Sequence, residues 1–214
     1  MALAKNMVQM KNKKSADRTR MSPSQRKESL VTAAARIVEE QGVDALRIPS
    51  VAQAVGVSRP VVYAHFKNRQ EILIAILEDY QSDLEARFKK ALNQTALDLE
   101  SAVEAVLCAT CEAIEAKGTG AWNLLGAKGP DPVIEQRAQR IRNRLRRPWA
   151  ERIRKTTKAG KADVLALTHL TGTVTRGVID LWISGKLKKH EAIRVGITSV
   201  TAMLRAFRGQ KQIR

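Results

Sequence analysis

Between Val51 and Phe66 the chain reads Val-Ala-Gln-Ala-Val-Gly-Val-Ser-Arg-Pro-Val-Val-Tyr-Ala-His-Phe. Two short helical patterns flank Gly56-Val57-Ser58. Gly56 is free to take the positive φ that a tight turn between helices requires. Val57 fills the angle between them, and Ser58 is placed to cap the second helix by accepting from a free backbone N–H. The spacing predicts a helix-turn-helix whose second helix runs from about Arg59 to Phe66. Val51, Ala52, Val55, Val57, Val62 and Phe66 are its expected core, and Arg59, Tyr63 and His65 point outward.

The flanking sequence supplies more helices. Ser22-Pro23-Ser24-Gln25 combines a cap, a proline at the first helical position and a capping-box glutamine. Leu30, Ala34, Ile37, Val38 and Gln41 then follow the helical repeat until Gly42. Pro49 opens the next helix near Ile48. Asn68 with Glu71 marks another start, and Leu73, Leu77, Tyr80, Leu84 and Phe88 form one stripe beyond it. Leu99, Val103, Val106, Thr110 and Ile114 define a helix that stops at Gly118, and a broken segment follows to Pro132. Ile134, Ala138, Ile141, Leu145, Trp149 and Ile153 recur at helical spacing, with a kink expected at Pro148. Two last helices, about 162–184 and 189–208, are separated by Gly185. Strand alternation is lacking throughout, so the expected fold class is all-α. A basic, aperiodic arm over 1–21 precedes a small domain over 22–68 and a larger one over 69–214. The arm is either a solvated tail or a segment that touches a polyanion, and Met7, Met10 and Met21 leave the start codon open.

A formal charge of +17 on 214 residues favours a polyanionic partner. The surplus is unevenly placed: residues 137–161 hold eleven Lys/Arg against one Asp/Glu, a net +10. Arg140, Arg144, Arg147, Arg154 and Lys158 fall roughly along one helical face. That face is a solvated surface, a seat for an acidic or phosphate-bearing ligand such as an acyl-CoA, or a source of nonspecific attraction to DNA. Two cysteines imply no disulfide framework and suit a reducing cytoplasm. The polar N-terminus resembles no signal peptide, and the apolar run Ile72 to Leu77 is far too short for a membrane span.

This order of elements resembles the TetR family of bacterial transcriptional regulators. The resemblance lies over residues 24–77: Gly42, Val51-Ala52, Ala54-Val55-Gly56-Val57-Ser58, Tyr63-Ala64-His65-Phe66, Lys67 and Arg69. One departure is Arg47, where the family commonly has a capping Thr or Ser; the cap is missing there, or Ser50 or Asp44 supplies it. The resemblance implies a three-helix DNA-binding head and a larger helical domain that binds a small effector and forms a homodimer. It implies that Arg59 reads base edges or contacts phosphate. Pro60 and Val61 would meet thymine methyls, and Tyr63 and His65 the sugar-phosphate. Lys67 and Arg69 would neutralise phosphates, with Ser58 and Arg47 at the edge of the site.

In the larger domain, Thr110, Trp122, His169, Thr173 and Arg176 are polar or aromatic groups within apolar helices and are the candidate effector-binding residues. Thr168, Gly172, Thr173 and Gly177 permit close helix approach, at a subunit interface or a pocket wall. Leu181, Trp182, Ile197, Val200, Met203 and Leu204 are candidates for interface area. Cys108 and Cys111 share a helical face and read as packing residues, with a thiol sensor as the alternative; their spacing alone is weak for metal. No catalytic residue, metal ligand or cofactor is assigned. The expected function is a cytoplasmic, ligand-responsive repressor that binds a double-stranded operator as a homodimer. Its rivals are an activator of the same family, a sequence-nonspecific DNA-organising protein, and a thiol-dependent enzyme.

Overall fold

Ser22 caps the first helix as its sequence predicts. Its hydroxyl accepts from the Gln25 N–H at 3.2 Å, and its own N–H donates to the Gln25 side chain at 2.9 Å. The computed structural model describes residues 21–94, 98–126 and 131–209, so the basic arm lies outside the described residues apart from Met21. Helices account for every regular element among them apart from one 3-10 turn. They are α1 (Pro23–Gln41), α2 (Ile48–Val55), α3 (Arg59–Tyr63), α4 (Arg69–Gln94), α5 (Leu99–Lys117), α6 (Thr119–Gly126), α7 (Pro132–Thr157), α8 (Lys161–Ile183) and α9 (Lys189–Gly209). The 3-10 turn, Val43–Ala45, joins α1 to α2.

The small domain closes on Leu30, Ala34, Ile37, Val38, Leu46, Val51, Val62 and Phe66, all buried. Gly56 takes φ +69 and ψ 38, the left-handed turn its position requires. The first half of α4 completes this core through Ile72, Leu73, Ile76 and Leu77. Its second half, from Tyr80 to Phe88, packs between α5 and α7. One helix thus belongs to both domains.

Several expectations change. The third helix ends at Tyr63, so Phe66 enters the core from the turn beyond it. The segment after Gly118 holds a helix of its own, α6; two of its eight residues are Gly, which hides it from a propensity reading. α7 continues through Pro148, whose ring lies on the exposed side. Ser58 has the extended backbone of a cap, but its side chain makes no capping bond. Arg47 caps α2 by backbone position alone, so neither Ser50 nor Asp44 replaces the missing side chain.

Ion pairs fasten α4 along both flanks. Glu78 pairs with Arg137, and Glu85 with Arg144 at 2.8 Å, on the α7 side. Asp79 pairs with Lys117 at 2.8 Å, and Arg87 meets Asp83 at 2.7 Å and Glu112 at 3.3 Å, on the α5 side. Part of the basic segment is therefore neutralised by the acidic stretch before it.

Candidate nucleic-acid interface and internal cavity

The outward face of α3 is built by what its inward face buries. Val62 is fully buried, which turns Arg59, Pro60 and Tyr63 into solvent. Tyr63 is 55% exposed although aromatic, so it is no core residue. Arg47, Ser58 and Lys67 are exposed beside it, and Val61 is half-buried. His65 is also half-buried, its ring tilted against Phe66 with centroids 6.5 Å apart. It projects less freely than its place in the motif suggests.

Arg69 departs furthest from expectation. Its Nη2 donates to the Val43 carbonyl at 2.6 Å and approaches Asp44 at 3.4 Å. Through Nη2 the guanidinium ties α4 to the turn after α1, so it projects less freely than its place in the motif suggests. At the start of α4, Asn68 accepts from the Glu71 N–H at 2.9 Å, while Glu71 accepts from the Lys67 N–H at 2.7 Å. The reciprocal cap thus falls on Lys67, one residue earlier than a strict capping box.

The larger domain encloses a cavity of about 590 Å³ between α4, α5, α6, α7 and α8. That volume lies within the range of small-molecule sites. All five candidate residues, Thr110, Trp122, His169, Thr173 and Arg176, line it. His169 and Thr173 are its exposed members, and Thr110 and Trp122 are buried. Leu84, Phe88, Leu92, Val103, Val106, Leu145 and Trp149 supply the apolar wall.

Trp122, Arg176 and Asp180 close one part of that wall. The Trp122 indole N–H donates to Asp180 Oδ1 at 2.8 Å, and Arg176 Nε donates to Asp180 Oδ2 at 2.9 Å. Arg176 Nη1 also donates to the Trp122 carbonyl at 2.9 Å, with the guanidinium 4.4 Å from the indole centroid. A Cβ at Gly126 would overlap this guanidinium, so the glycine is what lets α6 come so close. The residues missed by sequence reasoning are Glu135, Gln139, Arg142 and Arg146, polar members of the α7 wall. The signal was available. Arg142 and Arg146 stand four and eight residues after Ala138, and three before Leu145 and Trp149 respectively, on the edge of the apolar stripe.

α6 connects this cavity to the small domain. Its C-terminal half lines the cavity through Trp122, Leu125 and Gly126. Its N-terminal end rests on α1: the Thr119 N–H and hydroxyl both donate to Glu39 Oε1, at 2.8 and 3.1 Å. A Cβ on Gly120 would stand 2.9 Å from the Ala35 carbonyl oxygen, so backbone meets backbone there.

The cysteines lie elsewhere. Burial pushes the Cys111 thiol up to about 11, and Cys108 is raised by the same cause. Both shifts favour the thiol over the thiolate that a sensor or nucleophile uses. Among the described residues, His, Cys, Asp and Glu form no cluster suited to a metal, and no helix is long and apolar enough to cross a membrane.

Residues 30–76 match the family described as bacterial regulatory proteins, tetR family. The activator FasR of Mycolicibacterium smegmatis is 32% identical over 40% of this chain and 41% of its own length. The chain thus matches less than half of FasR. The regulator SrpR of Pseudomonas putida is 24% identical, over 89% of this chain and 90% of its own. Among solved structures, FadR of Bacillus subtilis in complex with stearoyl-CoA aligns with a TM-score of 0.70 at 15% identity. That alignment covers 83% of this chain and 96% of FadR, and it carries the fold alone. With the helix-turn-helix in place on its buried core, the chain belongs to the TetR family of DNA-binding transcriptional regulators.

Proposed function

We propose that the protein is a homodimeric repressor, acting in the cytoplasm, whose grip on an operator is released by a small molecule in the cavity. The observation that carries this reading is the double attachment of α6, to the cavity through Trp122 and to α1 through Thr119 and Glu39. An occupant that moves Trp122 moves the seat of α1. The two heads of a dimer must match successive major grooves, so a small tilt of each is enough to weaken binding. Arg59, Pro60, Val61 and Tyr63 are the proposed readers, with Arg47, Ser58, His65 and Lys67 at the sugar-phosphate.

The dimer face is proposed on α8 and α9. Leu165 (63% exposed), Leu170 and Leu181 are large apolar side chains left in solvent, and nothing lies within 4 Å of a Cβ on Gly177. Ala166, Thr198 and Ala202 continue the exposed face. Val200 and Leu204 were candidates for this interface, but both are fully buried within the protomer.

Selection of bound DNA from a random pool tests the reading. A palindrome with half-sites about one helical turn apart is the expected result. Fragments without a common motif would favour the nonspecific DNA-organising alternative, which rests on the +17 charge. Placing the selected site over a reporter promoter decides the sign. Raised expression in the presence of the protein would make it an activator, as FasR is named.

A further inference from the structure

The cavity wall carries one positive charge more than it neutralises. Arg142 meets Glu135 at 2.6 Å, and Arg176 meets Asp180 at 2.9 Å. Arg146, half-buried on the same wall, has neither a carboxylate nor a hydrogen-bond acceptor among the described residues. It lies across Gly172 of α8, its Nε 3.3 Å from where a Cβ would stand. Burial and the neighbouring Arg142 both disfavour its charge. A guanidinium still does not give up its proton, so the charge waits for a counter-ion.

Two buried polar groups beside it are also unpartnered. Trp149 Nε1 and Thr171 Oγ1 make no hydrogen bond, although Trp149 is 8% exposed and Thr171 6%. Thr171 is the more telling. Six other helical threonines, Thr110, Thr157, Thr168, Thr173, Thr198 and Thr201, donate to the carbonyl four residues earlier. Thr171 does not. Buried polar groups in native proteins are nearly always paired, so two such orphans beside one cavity mark a place where a polar partner would be gained; neither atom has surface open to the cavity, and each meets an occupant by a rotation of its side chain. Trp149 stands one turn from Arg146 on α7, and Thr171 adjoins the glycine that Arg146 covers.

We propose that the cavity binds a carboxylic acid with an elongated apolar body, its carboxylate held by Arg146, the Trp149 indole N–H and the Thr171 hydroxyl. This rests on the reading of the cavity as the effector site and names the class of effector. A guanidinium, an indole N–H and a hydroxyl together supply donors enough for the two oxygens of one carboxylate. A coenzyme A thioester would place a neutral carbonyl there and leave Arg146 buried and unpaired, a costly arrangement. Glu135 Oε2 is also unpartnered, but Arg142 already balances its charge. The row Leu84, Phe88 and Leu92 runs about 12 Å along α4, room for an alkyl chain of moderate length.

The test measures binding of decanoate, decanol and decanoyl-CoA to the full chain without DNA, by quenching of the Trp122 and Trp149 fluorescence. Decanoate should bind the wild type at least tenfold more tightly than either of the others. Arg146→Gln should bring decanoate down to the level of decanol and leave decanol unchanged. Arg147→Gln, which alters an exposed neighbour, should leave all three unchanged. Equal affinity for decanoate and decanol overturns the proposal, as does undiminished decanoate binding by Arg146→Gln. So does tighter binding of decanoyl-CoA, or no binding of decanoate. A chain that binds its selected operator yet refuses decanoate overturns this inference alone. Decanoate that binds through Arg146 but never releases the operator overturns the ligand-response reading instead.

Discussion

The small domain and the larger one use burial in opposite ways. In the head, Val51, Val62 and Phe66 of the helix-turn-helix are closed into the core, and the proposed readers stand outside it: Arg59, Pro60 and Tyr63 are exposed because Val62 and Phe66 are not. In the larger domain the groups proposed to hold an effector stand inside. Trp149 and Thr171 are buried with polar atoms unpaired, and Arg146 turns a charge into a cavity. A reading head needs a fixed platform and tolerates no slack. An effector site needs a core that is left incomplete. The difference should show in how each domain fails.

The largest effect is expected from Phe66→Ala. A buried Phe→Ala substitution costs about 3–5 kcal/mol, and Phe66 closes the head beneath α3. DNA binding should be lost while decanoate binding survives. Loss of both in one melting transition would break the comparison, because head and cavity would then be one cooperative unit.

Substitutions on the platform's outer face should act more mildly and leave the melting temperature in place. Arg59→Ala should cost about 1–3 kcal/mol in operator binding and relax the preference at one base position per half-site. Tyr63→Ala should weaken binding evenly across sequences, since a sugar-phosphate contact carries no base information. If both variants bind as the wild type does, α3 is not the reader.

The same contrast explains what the sequence disclosed. The head was legible because its logic is local. Gly56, the Ser22–Gln25 cap and the alternation of Val62 with Tyr63 each follow from neighbours a few residues away. The tie from Arg69 to the Val43 carbonyl was not legible, because that partner comes from another turn of the fold. The cavity was legible only in part. Thr110, Trp122, His169, Thr173 and Arg176 stood out as polar or aromatic groups in apolar helices, and they line one cavity from three helices. Arg142 and Arg146 were hidden in a run so rich in arginine that position along the stripe carried the only clue. α6, with two glycines in eight residues, gave no helical signal at all. Its packing on α1, where Gly120 admits the Ala35 carbonyl, is a tertiary reason that no local pattern expresses.

A smaller effect sharpens the role of the outer face of the larger domain. Gly177→Phe adds bulk where the protomer has open space, so the monomer should fold unchanged or slightly better. If α8 packs closely on its mate there, the dimer should dissociate at least tenfold more readily, measured by light scattering over a concentration series. A wild type that is monomeric at micromolar concentration would remove the dimer face from the proposal altogether.

The smallest effect, none, is expected from the basic segment. The triple variant Arg144→Ala, Arg147→Ala and Arg154→Ala removes three cations from α7, and a DNA-organising protein would lose phosphate contacts with them. Each lost contact would flatten the dependence of log affinity on log salt by about 0.9. In the fold, however, Arg144 lies 2.8 Å from Glu85, and Arg154 lies 2.8 Å from Glu151. Arg154 also sits in the last turn of its helix, where a cation offsets the exposed carbonyls. These partners account for two of the three charges without DNA, and the third, Arg147, is a solvated side chain on a helix outside the head. The salt slope should therefore match that of the wild type, with any cost appearing as a small loss of stability from the exposed pairs. A slope reduced by two or more would mean that the larger domain lies along the DNA. The division between a head that reads outward and a domain that binds inward would then be wrong.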